Sequence, residues 1–250
     1  MKNKSALLKA AVCVVLAFTI PFALAGCKDK ADKQTEKIAG RLISERHFEE
    51  KYKDPDGKVA FRSDVILPQL DEKDDPQYSA FNKIMDAVIS ESESSAKTVI
   101  ANKLYEKGKP WKETGSYTVT YASEKYISVV VERQREAASG NVSYYYTPVT
   151  FSLANCTQSS LSAFSKVSSD YLQTQLAKAL MAKISQSGAS VPEFSVIRSS
   201  FDLTDFVFTS GGFDIYFTKN SLSGFSGVQS HYGFTFDEVA DLLNLPNIPE

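Results

Sequence analysis

Several residue types that carry much of protein chemistry are scarce in this sequence. The 250 residues include three cysteines, two histidines and one tryptophan. Cys13 and Cys27 lie in or directly after an apolar N-terminal stretch, so Cys156 is the one cysteine expected inside a folded domain. Such a domain has no internal disulfide and depends on its apolar core. We interpret Cys156 as a small buried residue rather than a reactive thiol.

The same scarcity argues against several kinds of catalytic site. His47 and His231 stand alone, and no H-E-x-x-H motif offers the ligand spacing of a zinc hydrolase. Residues 94–97 match S-x-x-K, but they lack the companion S-D-N and K-T-G elements, so we interpret them as a solvated helix face. Two carboxylate pairs are interpreted as turn and helix-end residues: Asp202 with Asp205, and Asp237 with Asp241. We therefore predict no catalytic residue, no metal and no cofactor.

The N-terminus is the most informative part of the chain. Lysines at positions 2, 4 and 9 precede an apolar run over residues 10–24, and Leu24-Ala25-Gly26-Cys27 closes it. This layout is that of a secretory signal peptide, and the last four residues match the bacterial lipoprotein signal. A membrane-spanning helix would need roughly 20 apolar residues, and Pro21 lies in a run shorter than that. We predict cleavage before Cys27 and acylation (palmitate) on its sulfur.

This interpretation divides the chain and places it in the bacterial envelope. Residues 1–26 are the signal peptide, residues 27–37 are the lipidated cysteine with a charged, flexible tether, and residues 38–250 are the folded domain. Residue 110 is a candidate junction of two subdomains. Lys28 stands where aspartate would favour inner-membrane retention, so with two membranes we expect the periplasmic face of the outer one.

The charge of the mature chain narrows the range of partners. Loss of the three leader lysines changes the formal net charge from -2 to -5, which argues against nucleic acid. A mildly acidic surface could favour a basic partner, although most acidic surfaces only keep a protein soluble.

Hydrophobic periodicity predicts an α+β domain with a mostly antiparallel sheet meander packed against two or three helices. Strands are expected over residues 38–53, 58–70, 117–121, 127–132 and 144–153. Helices are expected over residues 78–105 and 169–184, with a polar stretch at 90–95 that either faces solvent or breaks the first helix. A hairpin is expected over residues 206–217, and Thr235 with Glu238 has the spacing of a capping box before a closing helix.

A run of three tyrosines is the one constellation that suggests a binding surface. Tyr144, Tyr145 and Tyr146 follow a polar turn that contains Asn141. Strand alternation places Tyr145 on the face opposite its two neighbours, so at least one ring is exposed. Exposed tyrosines are frequent anchors for protein or sugar partners, although tyrosine is also a good half-buried strand residue. We add His231 and Tyr232 to this partner-binding set; the alternative for His231 is a strand residue with a satisfied hydrogen bond.

Three stretches together resemble the extracytoplasmic domain of the RsiV-type anti-sigma factors. A related module precedes the catalytic domain of PdaC-type peptidoglycan deacetylases. The resemblance lies in Pro68-Gln69-Leu70 leading to Phe81-Asn82-Lys83-Ile84, in the paired strands of residues 117–131, and in residues 206–243 with F-V-F-T-S-G-G-F-D-I-Y-F. With the intervening residues they cover most of the mature chain.

The resemblance implies an envelope-facing binding module, which in RsiV recognises lysozyme. The family's Gly-Gly-Ala-His loop is replaced here by residues 138–142, Ala-Ser-Gly-Asn-Val, so no role of its histidine carries over. The anti-sigma segment and the deacetylase domain are also missing from this sequence. We therefore expect a non-enzymatic lipoprotein that binds a lysozyme-like protein or a cell-wall component such as peptidoglycan. The alternatives are a peptidoglycan hydrolase with an unrecognised site and a structural assembly lipoprotein.

Overall fold

The computed structural model describes residues 28–106, 108–218, 222 and 225–244. The predicted signal peptide and Cys27 lie outside these residues. The helices are α1 (Lys28–Leu42), α2 (Ser79–Ala101), α3 (Ser169–Gln186) and α4 (Phe194–Ser199). The strands are β1 (Ile43–Lys53), β2 (Val59–Leu70), β3 (Trp111–Ala122), β4 (Tyr126–Glu136), β5 (Val142–Ser152), β6 (Thr157–Gln158), β7 (Phe206–Thr209), β8 (Gly212–Tyr216) and β9 (His231–Thr235).

The described strands form two sheets. The larger sheet has the order β1-β2-β3-β4-β5-β6, and the smaller has the order β7-β8-β9. Every neighbouring pair is antiparallel except β2 and β3, which run parallel and are connected through α2. The predicted α+β class with a mostly antiparallel sheet is confirmed. Because β2 and β3 pair across residue 110, one sheet continues through the position that we considered as a subdomain junction.

Helix α2 covers one face of the larger sheet. Its apolar stripe includes Phe81, Met85 and Val88, and these side chains are buried against sheet residues such as Val129 and Val149. The polar stretch at residues 90–95 does not break the helix. Two of its serine hydroxyls bond back to the helix itself: Ser92 Oγ donates to the carbonyl of Val88 at 3.1 Å, and Ser95 Oγ donates to that of Glu91 at 2.9 Å.

The opposite face of the larger sheet packs against the smaller one. Phe208 N donates to Ser128 Oγ at 3.0 Å, and Thr150 Oγ1 donates to the carbonyl of Phe206 at 3.1 Å. Helix α3 then covers the far side of the smaller sheet, with Leu176 among the leucines buried in that core. The molecule therefore has four layers, in the order α2, larger sheet, smaller sheet and α3.

Two elements differ from the predictions. The segment interpreted as a flexible tether forms most of α1, because its lysine, alanine, glutamine and glutamate residues favour helix; Ala39 is buried and the helix contacts β3. At the other end, the capping box is present, since Thr235 N donates to Glu238 Oε2 at 2.7 Å and Glu238 N to Thr235 Oγ1 at 3.3 Å. It is followed by a single 3-10 turn, Asp237–Val239, rather than by a longer closing helix.

Candidate binding groove beside strand β5

A groove along β5, with a volume of about 410 Å³, has two of the predicted residues in its wall. Helix α2 forms one wall with Ala87 and Glu91, and Thr204, Asp205 and Thr218 form the other; β5 lies between them. Tyr145 and Tyr146 both line the groove. Ligand pockets commonly occupy roughly 300–1,000 Å³. We call this recess the β5 groove.

Alternation along β5 sends its tyrosines to different layers, as the sequence predicts. Tyr145 pairs with Arg133 of β4, and Tyr146 pairs with Glu132. Val149 lies four residues from Tyr145 on the same face of β5, and it packs under α2. The Tyr145 side chain therefore faces the α2 wall. Tyr146 faces the smaller sheet, where it packs against Tyr216. The two rings therefore flank the strand on both sides.

A cluster of ionised side chains holds the α2 side of the groove in place. Arg133 donates to Glu91 at 2.6 Å and to Glu113 at 3.4 Å, and Arg135 donates to the same two carboxylates at 3.4 and 2.6 Å. The side chains of Glu113 and Arg133 are 0% and 1% exposed, whereas that of Glu91 is 49% exposed. Glu113 also accepts from Ser63 Oγ at 2.8 Å. Two positive and two negative groups thus balance in a buried site, as burial of charge requires.

The ion cluster also supports Tyr145. The Arg135 guanidinium lies 4.3 Å from the centroid of the Tyr145 ring, and that of Arg133 lies 5.8 Å away. Stacking of this kind favours one orientation of the ring. Gly115 gives the cluster its space, because a Cβ there would be 2.8 Å from Arg133 Cγ. The two arginines therefore hold the Tyr145 ring in one orientation where it lines the groove.

On the other side of β5, aromatic rings form a stack that leads to His231. The Tyr146 and Tyr216 ring centroids are 5.7 Å apart, and those of Tyr216 and His231 are 4.7 Å apart with an interplanar angle of 18°. Burial raises the pKa of Tyr216 to about 12, with further contributions from Asp214 and Glu132. Tyr216 consequently stays a neutral phenol at physiological pH.

Asp214 lies beside this stack. Desolvation raises the pKa of its carboxyl group, and the nearby His231 opposes that increase. His231 Nδ1 is 3.2 Å from Ser230 Oγ. The histidine is therefore linked to the β5 groove through Tyr216, rather than forming part of its wall.

Three of the predicted binding residues lie outside the lining of the groove. Tyr232 is on the face of β9 opposite His231, where it is 7% exposed and packs against Phe217 in the core. Asn141 is exposed in the β4–β5 turn, where its carbonyl accepts from Ala137 N at 2.8 Å. Tyr144 is 52% exposed on β5 and lies beyond the groove lining. The structure thus brings Tyr145 and Tyr146 together at the groove and His231 near it.

Three further residues considered from the sequence are Cys156, Asp205 and His47, and none of them has the surroundings of a catalytic group. Cys156 is buried, and desolvation raises the pKa of its thiol, so the thiolate is disfavoured as we expected of a packing residue. Asp205 accepts from Asp202 N and from Thr218 Oγ1, both at 2.8 Å, which is the turn chemistry predicted for that pair. His47 is exposed on β1.

Sequence reasoning missed the ion cluster, although a signal was present. Val129, Val131, Arg133 and Arg135 share one parity on β4, so both arginines continue an apolar face that is buried. Buried arginines require acidic partners. The pattern therefore predicts carboxylates near the arginines, but it does not identify them as Glu113 and Glu91.

Within the described residues, no group of three or more His, Cys, Asp or Glu side chains has the arrangement of a metal site. In the same part of the chain, no helix combines the length and the apolar character needed to cross a membrane. The described lining of the β5 groove consists of aromatic, apolar and hydroxyl side chains, one amide and three ionisable ones. This combination suits contact with a polypeptide or a sugar chain.

The chain has distant similarity to solved structures. No family model matches the chain, and neither does any curated protein. Among solved structures, a member of the DUF3298 family from Bacteroides fragilis has a TM-score of 0.48 and 11% identity, over 80% of this chain and 93% of that one. A DUF3298 family protein from Pseudomonas aeruginosa has a TM-score of 0.46 and 8% identity, over 80% of this chain and 94% of that one.

Proposed function

We propose that this chain is a non-enzymatic lipoprotein of the bacterial envelope that binds a lysozyme-like protein or a cell-wall component. The location rests on the Leu24-Ala25-Gly26-Cys27 signal and the basic, apolar leader before it. The partner class rests on the RsiV-like order of sequence motifs.

The observation that carries the binding role is the β5 groove with its two supported tyrosines. Tyr145 stacks on Arg135, and Tyr146 packs on Tyr216, so both rings are held in place before any partner arrives. Pre-ordered aromatic side chains contribute strongly to affinity because little side-chain entropy is lost on binding. The arrangement therefore has the properties of an anchor point for a partner.

Binding of the chain from residue 28 onward to a basic lysozyme and to purified peptidoglycan tests the proposal. We expect binding of at least one of them, and Tyr146→Ala should weaken it about tenfold or more, as truncation of a central aromatic anchor does. Tyr171→Ala is the matched control, because Tyr171 is 50% exposed on α3 in a different layer. Thermal unfolding of both variants shows whether either has lost its fold.

Two outcomes contradict the proposal. If neither lysozyme nor peptidoglycan binds, the partner class is wrong. If the chain releases reducing sugars or peptides from peptidoglycan, it is an enzyme and the non-enzymatic role is wrong.

A further inference from the structure

Most of strand β5 is a free edge among the described residues. Strand β6 pairs only with Phe151 and Ser152, and Ser159 N extends the contact by donating to the carbonyl of Thr150 at 2.7 Å. Within the described part of the chain, no strand pairs with residues 142–149 on that side. An exposed strand edge can template pairing with another chain.

The direction of the backbone groups on this edge follows from strand alternation. The Thr150 carbonyl points away from β4 towards β6, so residues 148, 146 and 144 point the same way. Pro148 agrees, because a proline in a strand is tolerated where no amide proton is needed for pairing. Tyr144 and Tyr146 therefore direct both their N–H and their C=O groups outward, and Pro148 directs a carbonyl alone.

Residues 145–149 of the free edge line the β5 groove, and the edge continues beyond it through Tyr144. Ala87 and Glu91 of α2 flank it on one side, and Thr204 and Asp205 flank it on the other. Adjacent strands pair about 4.8 Å apart. We take a single extended chain as the occupant, because it has no covering layers of its own. The edge of a second sheet, which carries its own covering layers, would meet the walls first.

The charges around the groove favour a basic occupant. Glu91 and Glu113 are balanced by the two arginines of the ion cluster. The exposed Glu132, which pairs with Tyr146, adds a further negative charge beside the groove. Two copies of this chain docked edge to edge would bring like charges together, whereas lysine or arginine side chains would complement them.

We propose that the free edge of β5 binds an extended, basic segment of a partner protein by strand addition. Tyr144 and Tyr146 supply the main-chain hydrogen bonds, the β5 groove accepts alternate side chains, and Glu132 attracts the positive ones. This inference rests on the proposed function and specifies how a protein partner would be held.

A short peptide that alternates lysine with valine or threonine is a suitable probe. We expect it to bind the chain from residue 28 onward, and we expect glutamate in place of lysine to abolish binding. Amide hydrogen exchange should slow at Tyr144 and Tyr146 when the peptide binds, because their outward N–H groups become paired. The amide of Tyr145 points towards β4 and should change little. Unchanged exchange at Tyr144 and Tyr146 in a complex that does form overturns the proposal.

Two pairs of variants separate the backbone and charge contributions. Tyr144→Pro removes an outward N–H and should weaken peptide binding about three- to tenfold relative to Tyr144→Thr, which keeps it. Glu132→Lys should weaken binding, whereas Glu124→Lys, the same change in the exposed β3–β4 turn, should not. Equal affinities within both pairs contradict strand addition.

The outcomes also distinguish this inference from the proposed function. Binding of lysozyme or peptidoglycan that is insensitive to Tyr144→Pro retains the proposed function and rejects strand addition. Binding of the peptide without binding of lysozyme or peptidoglycan supports strand addition and rejects the proposed partner class.

Discussion

Asp214 is held in a site that favours its neutral form. Its Oδ1 lies so close over Gly233 that a Cβ at that position would be 2.9 Å away. Desolvation raises the pKa of this carboxyl group despite the opposing effect of His231. The charged carboxylate is therefore less favourable in the folded protein than in the unfolded chain, and this lowers stability at neutral pH.

Replacement of Asp214 by asparagine should increase the free energy of unfolding at pH 7. Between the unfolded pKa of aspartate, about 3.9, and the raised folded pKa, the folded state binds more protons than the unfolded state. The stability of the unmodified protein therefore falls as pH rises through this window, and the variant lacks that fall. Urea unfolding from pH 4 to pH 8 measures the difference, which should shrink towards the acidic end. Asp237→Asn, at an exposed position, is the control, and a difference that is independent of pH would contradict the explanation.

At the scale of elements, Glu113 connects four parts of the fold. It accepts from Ser63 of β2 and from both arginines of β4, while it belongs to β3; the arginines in turn bind Glu91 of α2. None of these contacts joins neighbours in sequence. The cluster therefore fixes the position of α2 over the sheet, and with it the width of the β5 groove.

Glu113→Gln should destabilise the protein by about 3 kcal/mol or more, because it leaves two buried arginines with the half-exposed Glu91 as their remaining acidic partner. Glu136→Gln is the matched control on the same sheet. Glu136 forms an exposed pair with Lys112, and such pairs contribute roughly 0.2–1 kcal/mol. Chemical denaturation of both variants gives the comparison. Equal, small effects would show that the cluster does not stabilise the fold.

Local patterns predicted the elements well and their assembly poorly. Period-two alternation identified β4 and β5 and correctly placed Tyr145 opposite Tyr144 and Tyr146. The β5 groove was not predictable in this way, because its second wall comes from Thr204 and Asp205, more than fifty residues along the chain. The packing of α1 on β3 was missed for a similar reason, since charge composition does not reveal a tertiary contact.

At the scale of the whole molecule, α1 changes the expected relation between the domain and its lipid. A flexible segment over residues 28–37 would reach about 35 Å when extended. The helix starts at Lys28, directly after the predicted lipidation site, and packs on the larger sheet. A lipid on Cys27 would therefore hold the domain close to the bilayer surface, with no long extended spacer.

Substitution of Cys27 tests the envelope location. Cys27→Ala should prevent acylation, abolish incorporation of labelled palmitate and move the protein from the membrane fraction to the soluble one, because the lipid is the predicted anchor. Cys156→Ala is the matched control, since it removes the other cysteine of the mature chain from a buried site. It should leave both labelling and fractionation unchanged. Membrane association and labelling that persist in Cys27→Ala would contradict the lipoprotein prediction.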